Sequence, residues 1–279
     1  MGTNPVMEAI LNTTSAPVAP ASIYDFPELF RAVQIEAKGE IEAETEFLKQ
    51  IFARHLPRPV RRVLDIACGD SPHGQVLARE GIEVLAIDRN PRMLDSGRHK
   101  AESLPGIRFY QRQIERFSLP AGNCDAAYFL SETFPVMLDN ADILSHLRSV
   151  ARALRKGGLY CIDIDRHDGI EAVGRRRRLW RTRQVRRGAV KLDVREFYRP
   201  LPWHIGAWIY ELECRIHFPG RRPVLTRDLI PVRYTLPSQL EFAARASGVF
   251  RMIACYTDLS LTTPIEQCDR RWMGVLRRL

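Results

Sequence analysis

The sequence predicts an α/β fold in which a mostly parallel sheet has helices on both faces and a smaller antiparallel unit follows it. Between residues 61 and 168, short apolar runs alternate with helix-length amphipathic stretches. This alternation is typical of parallel strands joined by crossover helices, because such strands are buried on both faces. From residue 169 to 235 the pattern changes to strand-like alternation with turn signals, which predicts an inserted antiparallel unit. The length of 279 residues allows one large domain with an added lobe.

The N-terminal part divides into a leader and a helical segment. Residues 1–22, rich in Ala, Pro and Thr, are predicted to be flexible, and they lack the basic flank and apolar stretch of a secretory signal. Residues 23–60 are predicted to form a helical lid segment. Its clearest helix is predicted at "GEIEAETEFLKQIFAR", where one apolar face is formed by Phe47, Leu48, Ile51 and Phe52.

The core region, residues 61–168, is predicted to contain five strands, at "RVLDIA", "IEVLAID", "IRFYQ", "CDAAYFL" and "LYCIDID". A helix is predicted at "NPRMLDSG", with Asn90 as its N-cap and Pro91 in its first turn. Another helix is predicted before the fifth strand, and Gly157 and Gly158 are expected to end it. The apolar stripe of this helix comprises Ile143, Leu144, Leu147, Val150, Ala151 and Leu154.

The insertion, residues 169–235, is predicted to be antiparallel because "AVKLDVREF", "GAWIYELECRIHF" and "PVLTRDLIPVRY" alternate and are separated by turns. We expect it to cover an acceptor site or to form a homodimer contact. Residues 236–279 are predicted to form a helix at "LPSQLEFAARASG" and a hairpin that completes the main sheet. The aromatic residues of the insertion are Trp180, Tyr198, Trp203, Trp208 and Tyr210.

The net charge of +9 raises the question of a nucleic-acid partner. Eight arginines lie between residues 175 and 187, in "RRRRLWRTRQVRR". One interpretation is a groove for nucleic acid, and the other is an edge strand protected by charge. We favour the edge strand, because no RNA-binding signature accompanies the arginines.

Several classes of protein do not fit the sequence. Six cysteines are scattered without a CxxC pair, which predicts free thiols in a reducing cytoplasm. No run of eighteen apolar residues is present, so no membrane partner is expected. The sequence has no HExxH motif, Walker loop or acidic metal cluster, so no metal is expected either.

The stretch "LDIACGDSPHG", residues 64–74, carries the main functional signal. It joins the first strand to a helix with the spacing of a G-x-G-x-x-G loop, in which Ser71 replaces the middle glycine between Gly69 and Gly74. Such a loop lets the backbone approach a ligand, and the N–H groups of the helix start face it. Asp88, nineteen residues after Gly69, ends the second strand, where a carboxylate can bind ribose hydroxyls. The sequence therefore predicts a nucleotide-like cofactor.

Asp65 narrows the choice of cofactor. It lies at the end of the first strand, where a nicotinamide site usually has an apolar residue. A carboxylate at this position suits a ligand that carries a positive amino or sulfonium group.

Residues 61–165 resemble the core of the class I S-adenosylmethionine-dependent methyltransferases, in particular the small-molecule branch. The cofactor loop of that branch often has the form Asp-x-Ala-Cys-Gly-Thr-Gly-x-x-Gly, and here the run from Asp65 to Gly74 is "DIACGDSPHG". The resemblance continues through "LAREGIEVLAIDRNPRML", "RFYQRQIERFSLP" and "LRSVARALRKGGLYCIDID". It implies a Rossmann-like sheet of seven strands and S-adenosylmethionine as the cofactor.

The resemblance also implies cofactor-binding roles for individual residues. Gly69 and its neighbour Ala67 would lie under the methionine part, with Asp65 near the amino group, and Asp88, followed by Arg89, would bind the ribose hydroxyls. Met93 would pack on adenine, Gln113 would accept from the adenine amino group, and the Ile114 N–H would face the ring. Leu130 would border the sulfur, and Tyr24, in a segment that resembles the family's N-terminal Tyr-Asp region, would belong to the lid.

Two residues depart from the family's loop. Ser71 adds a Cβ where the backbone is expected to approach the ligand, and a positive φ there would cost about 1 kcal/mol or more. Asp70 adds a negative charge next to Gly69. We expect a working but altered cofactor loop.

The leading hypothesis is a cytoplasmic methyltransferase that transfers a methyl group to the nitrogen or oxygen of a small metabolite. Such an enzyme mainly has to align the nucleophile and exclude water, so the sequence identifies no catalytic residue. An RNA methyltransferase that uses Arg175–Arg187 is the first alternative. A binding or scaffold protein that retains the fold is the second, and a nicotinamide-dependent oxidoreductase is the least favoured. Fold alone does not decide among them.

Overall fold

The computed structural model describes most of the chain. Residues 1–21 of the predicted leader, Arg175 and Arg176 of the arginine-rich segment, and Trp203 lie outside the described residues. The described residues are 22–38, 41–165, 177–201, 204, 206–268 and 271–279.

Within these residues the chain forms α-helices, strands and short 3-10 helices. The α-helices are α1 (Pro27–Lys38), α2 (Ile41–His55), α3 (Pro72–Arg79), α4 (Pro91–Lys100), α5 (Asn140–Ala153) and α6 (Pro237–Ser247). The strands are β1 (Arg62–Ile66), β2 (Glu83–Asp88), β3 (Ile107–Gln111), β4 (Cys124–Phe129), β5 (Leu154–Asp165), β6 (Arg178–Arg187), β7 (Val190–Pro200), β8 (Ala207–His217), β9 (Val224–Arg233), β10 (Phe250–Thr257) and β11 (Arg271–Arg278). The 3-10 helices are Ile23–Asp25, Phe134–Val136 and Ile265–Gln267.

The main sheet has seven strands in the order β10-β11-β5-β4-β1-β2-β3. The pairs from β5 to β3 are parallel, and the β10–β11 hairpin joins antiparallel to β5. The predicted fold class is therefore confirmed, including the C-terminal hairpin. Because the carboxyl ends of β1, β2, β4 and β5 share one edge, the loops that follow these strands meet there.

Helices cover both faces of the main sheet. On one face the apolar residues of α2 pack with α3 and α4, and Phe47, Leu48, Ile51 and Phe52 are all buried there, as predicted. On the other face α5 and α6 pack against alternate residues of the same strands. Each fully buried side chain of this kind contributes about 1.5–3 kcal/mol to folding. The two-sided burial explains why the central residues of β1, β2, β4 and β5 are mainly apolar.

The predicted end of α5 is wrong. The helix ends at Ala153, and β5 begins at Leu154 and runs through Gly157 and Gly158. A Cβ on Gly158 would lie 2.9 Å from the Arg155 carbonyl and 3.1 Å from the Asp125 carbonyl. The glycines therefore allow an irregular first part of β5, where the register with β4 shifts, rather than ending the helix.

The insertion is antiparallel, as predicted, and it forms a sheet of four strands in the order β6-β7-β8-β9. One face of this sheet packs against α1 and the 3-10 helix before it, through Leu29, Val33 and Ile23. The arginine-rich strand β6 lies at its edge, in agreement with the interpretation of a charge-protected edge strand.

Four of the six described arginines of this segment have carboxylate partners inside the protein: Arg177, Arg181, Arg183 and Arg187. Arg181 and Arg183 both bind Glu196, whose side chain is buried. Arg177 lies 2.9 Å from Glu211, which is fully buried. Much of this positive charge is therefore compensated within the antiparallel sheet.

Candidate cofactor and acceptor site

The loop between β1 and α3 has a left-handed backbone at three alternate residues. The φ angles of Ala67, Gly69 and Ser71 are +51°, +55° and +55°. No atom lies within 4 Å of where a Cβ on Gly69 would be. The space in front of Gly69 is thus open to a ligand, and glycine adopts this φ without the cost that a side chain brings.

Ser71 has the predicted positive φ, but its side chain does not point where we expected. It is fully buried beneath the loop, and its Oγ donates a hydrogen bond of 2.6 Å to Asp65 Oδ2. A Cβ on Gly74 would lie 2.1 Å from Ser71 Oγ. Gly74 therefore makes room for the serine, and the expectation that Ser71 places a Cβ against the ligand is wrong.

Asp65 lies below the loop. Its side chain is buried, and burial raises its pKa to about 6, although the hydrogen bond from Ser71 and the nearby His73 act in the opposite direction. A carboxylate with this pKa exchanges its proton near neutral pH, so its charge is adjustable under ordinary conditions.

Asp88 connects the glycine loop to the start of α4. Its Oδ2 accepts from the Gly69 backbone N–H at 2.8 Å, and its Oδ1 accepts from the Asn90 N–H at 2.8 Å. Each oxygen retains a second lone pair for a hydroxyl donor. Burial raises the pKa of Asp88, and the two backbone hydrogen bonds oppose that rise. The residue is therefore held by the backbone at the place predicted for ribose binding.

The N-terminal segment lies against α4. The Asn90 side chain caps α4 as predicted, accepting from Arg92 N at 2.9 Å, and its Nδ2 donates to the Tyr24 carbonyl at 3.4 Å. The same segment is joined to the antiparallel sheet, because Asp228 accepts from Ser22 Oγ at 2.7 Å. Residues 22–25 thus bridge the two sheets over the start of α4, where Met93 is buried.

The loop after β3 carries the residues predicted to face adenine. Gln113 is exposed and Ile114 is half-buried. His146 of α5, fully buried, lies 2.7 Å from the Ile114 carbonyl through Nδ1 and 2.6 Å from the Tyr160 hydroxyl through Nε2. Burial lowers the pKa of His146 to about 4, so the neutral ring donates to the carbonyl and accepts from the phenol. This histidine fixes the position of Ile114.

The loop after β4 is strained. Leu130 is buried, and the next residues, Ser131 and Glu132, have φ angles of +59° and +56°. Consecutive left-handed residues that are not glycine are uncommon and cluster at functional sites. The Ser131 N–H donates to Asp163 Oδ2 of β5 at 3.2 Å.

The structure brings most of the predicted residues to the carboxyl edge of the main sheet. Arg89 is exposed beside Asp88, and its carbonyl accepts from Gln111 Nε2 at 3.1 Å. The cofactor roles of the individual residues remain predictions. The predicted residues that follow β1, β2, β3 or β4, or end these strands, are Asp65, Ala67, Gly69, Asp88, Arg89, Gln113, Ile114 and Leu130.

The sequence did not reveal the role of Asp70. Arg31 of α1 donates from Nε to Asp70 Oδ2 at 3.1 Å, and its Nη2 lies 2.6 Å from Oδ1. Lys100 also donates to Asp70 at 2.6 Å and pairs with Glu28 of α1. Through these ion pairs, the Asp70 carboxylate attaches α1 to the loop between β1 and α3. The departure of Asp70 from the family's threonine was the only sequence signal for this contact.

Replacing Asp70 by Asn is expected to loosen α1, because a two-pronged, partly buried Arg–carboxylate pair contributes about 1–2 kcal/mol. Amide hydrogen exchange of residues 28–34 should accelerate about tenfold, while exchange in β1 and β4 stays unchanged. Asp95→Asn, which breaks the exposed pair with Arg98, is the matched control and should change neither. Equal exchange of α1 in the two variants would contradict the attachment.

Comparisons with known proteins agree with this architecture. Residues 63–158 match the protein family described as "Methyltransferase domain". The ubiquinone biosynthesis O-methyltransferase of Methylocella silvestris is 34% identical over 109 residues, which are 38% of this chain and 41% of that protein. A solved S-adenosylmethionine-dependent methyltransferase from Clostridium acetobutylicum has a TM-score of 0.75 at 14% identity, covering 90% of this chain and 98% of that one. CalS10, an amino pentose methyltransferase from Micromonospora echinaspora, has a TM-score of 0.68 at 16% identity, with 95% and 100% covered.

The chain spans less than half the length of the first curated relatives that it matches. The two structural neighbours are too distant in sequence to show more than the fold, but their coverage extends over the antiparallel sheet as well as the core. The resemblance found in the sequence is thus confirmed by the family match and by the topology. Residues 63–158 match the methyltransferase domain family, and the chain has the fold of the class I S-adenosylmethionine-dependent methyltransferases.

Proposed function

We propose that this protein binds S-adenosylmethionine and transfers its methyl group to a small molecule. The observation that carries the proposal is the pairing of the open glycine loop with Asp88, which accepts from the Gly69 N–H at 2.8 Å. The family match supports the same activity.

The residues present fit the cofactor. Ala67 and Gly69 would hold the methionine part, Asp88 the ribose hydroxyls, and the loop with Gln113 and Ile114 the adenine. When bound, S-adenosylmethionine supplies a methyl group that its sulfonium has already activated. The protein then has to orient the acceptor and exclude water, and Tyr24 and the rest of the N-terminal segment would contribute to both.

The acceptor is proposed to lie between the carboxyl ends of β4 and β5 and the antiparallel sheet. Trp208 and Val232 of that sheet pack with Val136, just beyond the loop that follows β4. The internal pairing of arginines in the antiparallel sheet gives no support to an RNA acceptor. All six cysteines are free thiols, which supports a cytoplasmic location. Among the described residues, no helix has the length and apolarity to cross a membrane. A homodimer remains a prediction.

Calorimetric titration with S-adenosylmethionine and S-adenosylhomocysteine tests the proposal. The wild type should bind both, and Asp88→Ala should weaken binding about 10- to 100-fold, because it removes two hydroxyl acceptors and releases Gly69. Asp88→Asn keeps the side-chain shape, so it distinguishes the effect of losing a hydrogen-bond acceptor from the effect of losing packing. Asp95→Ala, on the exposed side of α4, is the control.

A wild-type protein that melts cooperatively but binds neither compound at about millimolar concentration would refute the proposal. That result would favour the scaffold interpretation. Unchanged binding by both Asp88 variants would show that the cofactor lies elsewhere.

A further inference from the structure

We propose that a cavity between α5 and α6 binds a small carboxylic acid with an apolar body. The cavity lies where the two helices begin, and Arg233 and Thr235 line it there. None of the residues proposed for the cofactor or the acceptor lines it. It is therefore a second ligand site, and the inference goes beyond the proposed function.

The cavity is large enough for the apolar part of such a ligand. Its volume is about 280 Å³, whereas an apolar cavity of about 150 Å³ already holds benzene. Most of its wall is apolar, and the side chains that form it include Ile143 and Leu144 of α5 and Leu240, Phe242 and Ala243 of α6. Phe242 is 74% exposed, so the cavity is open to solvent and a ligand can enter. Apolar walls with a few polar groups are typical of small-molecule sites.

The polar end of the cavity contains a cation in a fixed position. Arg233 Nη1 donates to the Leu138 carbonyl at 3.1 Å and to Asn140 Oδ1 at 2.8 Å, which holds the guanidinium at the start of α5. Burial lowers the pKa of Arg233 and the negative charge of Asp139 opposes this effect, but a guanidinium stays protonated.

This guanidinium is available to an anion. Within the part of the chain that the structure describes, no carboxylate lies within 4.0 Å of it, and no acidic side chain lines the cavity. Its Nε and Nη2 groups have no hydrogen-bond partner among the same residues. Two adjacent N–H groups of a guanidinium match the two oxygens of a carboxylate.

Two helix starts add to the positive potential. Asp139, before α5, makes no side-chain cap, and Leu236, before α6, makes none either. The first N–H groups of a helix carry partial positive charge and have no partner within the helix. Asn140 and Ser238 of these first turns line the cavity.

A buried hydroxyl at the same end has no partner. Thr235 lines the cavity and is 7% exposed, and its Oγ1 forms no hydrogen bond with any residue that the structure describes. Buried hydroxyls are nearly always paired, so an unpaired one beside a cavity indicates that a ligand supplies the acceptor. A carboxylate oxygen accepts from a hydroxyl as well as from a guanidinium. The cation, the helix starts and the hydroxyl thus all favour an anion.

These features together define the class of ligand. The guanidinium balances the single charge of a carboxylate, whereas it repels an amine and gives an alcohol no ionic attraction. The apolar wall disfavours ligands that are polar along their whole length, because their buried polar groups would lack partners. We therefore expect an aliphatic or aromatic monocarboxylic acid, with its carboxylate at Arg233 and its body between α5 and α6.

An amide NMR titration of the isotope-labelled full chain tests the site, with octanoate, octanol and acetate as probes. Octanoate should bind at least about tenfold more tightly than either of the other two. The largest saturable shifts should fall in the first turns of the two helices, at residues 140–144 and 238–240. Because octanol lacks the charge and acetate lacks the apolar body, the comparison separates the contributions of the two ends of the cavity.

Two variants at the polar end make the result specific. Arg233→Gln should reduce the preference for octanoate over octanol to less than about threefold without changing the affinity for octanol. Thr235→Val removes a hydroxyl that has no partner, so the variant should fold as the wild type does and bind octanoate about 3- to 10-fold more weakly. Arg245→Gln, which replaces an arginine of α6 that is 77% exposed, is the matched control and should behave as wild type.

Three results with the wild type would overturn the inference: no saturable binding of octanoate, equal affinity for octanoate and octanol, or shifts confined to other parts of the chain. A preference for octanoate that survives in Arg233→Gln would do the same. If that variant does not fold, unchanged affinity of Thr235→Val for octanoate has this consequence instead. The titrations contain no S-adenosylmethionine, so a failure of the proposed function would leave their outcome unaffected.

Discussion

Replacing Arg271 by Met is expected to lower the free energy of unfolding by about 3–5 kcal/mol. The guanidinium lies 2.6 Å from Glu44 and 3.6 Å from Asp163, and all three side chains are largely buried. Methionine fills a similar volume but removes the cation that Glu44 and Asp163 share. Breaking a buried pair from one side costs this much, because the remaining charge is desolvated and uncompensated. Urea denaturation at neutral pH measures the loss.

Two further variants make this result specific. Arg245→Met removes a guanidinium of α6 that is 77% exposed and pairs with Glu241, so its cost should stay below about 0.5 kcal/mol. Adding Glu44→Gln to Arg271→Met should restore part of the lost stability, since it neutralises one of the stranded carboxylates. A loss of less than about 1 kcal/mol in Arg271→Met would mean that water compensates the carboxylates.

The sequence predicted the main helices and strands because each is determined by residues that are close together in the chain. The strands β1, β2 and β4 are short, mainly apolar runs, and Asn90 with Pro91 marks the start of α4 within a single turn. The alternation in β7, β8 and β9 likewise follows from the period of a strand. The end of α5 could not be predicted in this way. A glycine pair suits both a helix end and an irregular strand, and only the contact of Gly158 with the Asp125 carbonyl decides between them.

The contacts that shape the site were beyond the reach of the sequence because their partners are far apart in the chain. Glu44 and Arg271 are separated by 227 residues, and Arg31 and Asp70 by 39. No periodic pattern joins such positions, and a charged residue is exposed more often than it is buried. Ser71 shows the same limit on a small scale. Its left-handed φ followed from the glycine pattern, whereas the inward direction of its hydroxyl depends on the space left by Gly74.

Asp65→Asn is expected to make the protein more stable at alkaline pH and weaker in cofactor binding. The folded-state pKa of Asp65 is about 6, against an ordinary value of 3.8. At pH values between 3.8 and about 6, the Asp65 carboxyl is protonated in the folded protein but ionised in the unfolded chain. Its stability therefore falls as the pH rises through this window. The difference of about 2 pH units corresponds to about 3 kcal/mol lost between about pH 4 and pH 8. Asparagine has no charge to bury and removes this loss.

The pH dependence distinguishes this effect from a general gain in stability. The unfolding free energy of Asp65→Asn minus that of the wild type should grow by about 3 kcal/mol from about pH 4 to pH 8. Since the wild type keeps a carboxylate that costs stability, the charge is expected to serve the cofactor. S-adenosylmethionine should bind Asp65→Asn at least about tenfold more weakly at about pH 8, where the wild-type carboxylate is ionised. If the difference in unfolding free energy between Asp65→Asn and the wild type, measured by urea denaturation, stays constant across this pH range, Asp65 has an ordinary pKa. Unchanged affinity would show that its charge acts only on the loop through Ser71.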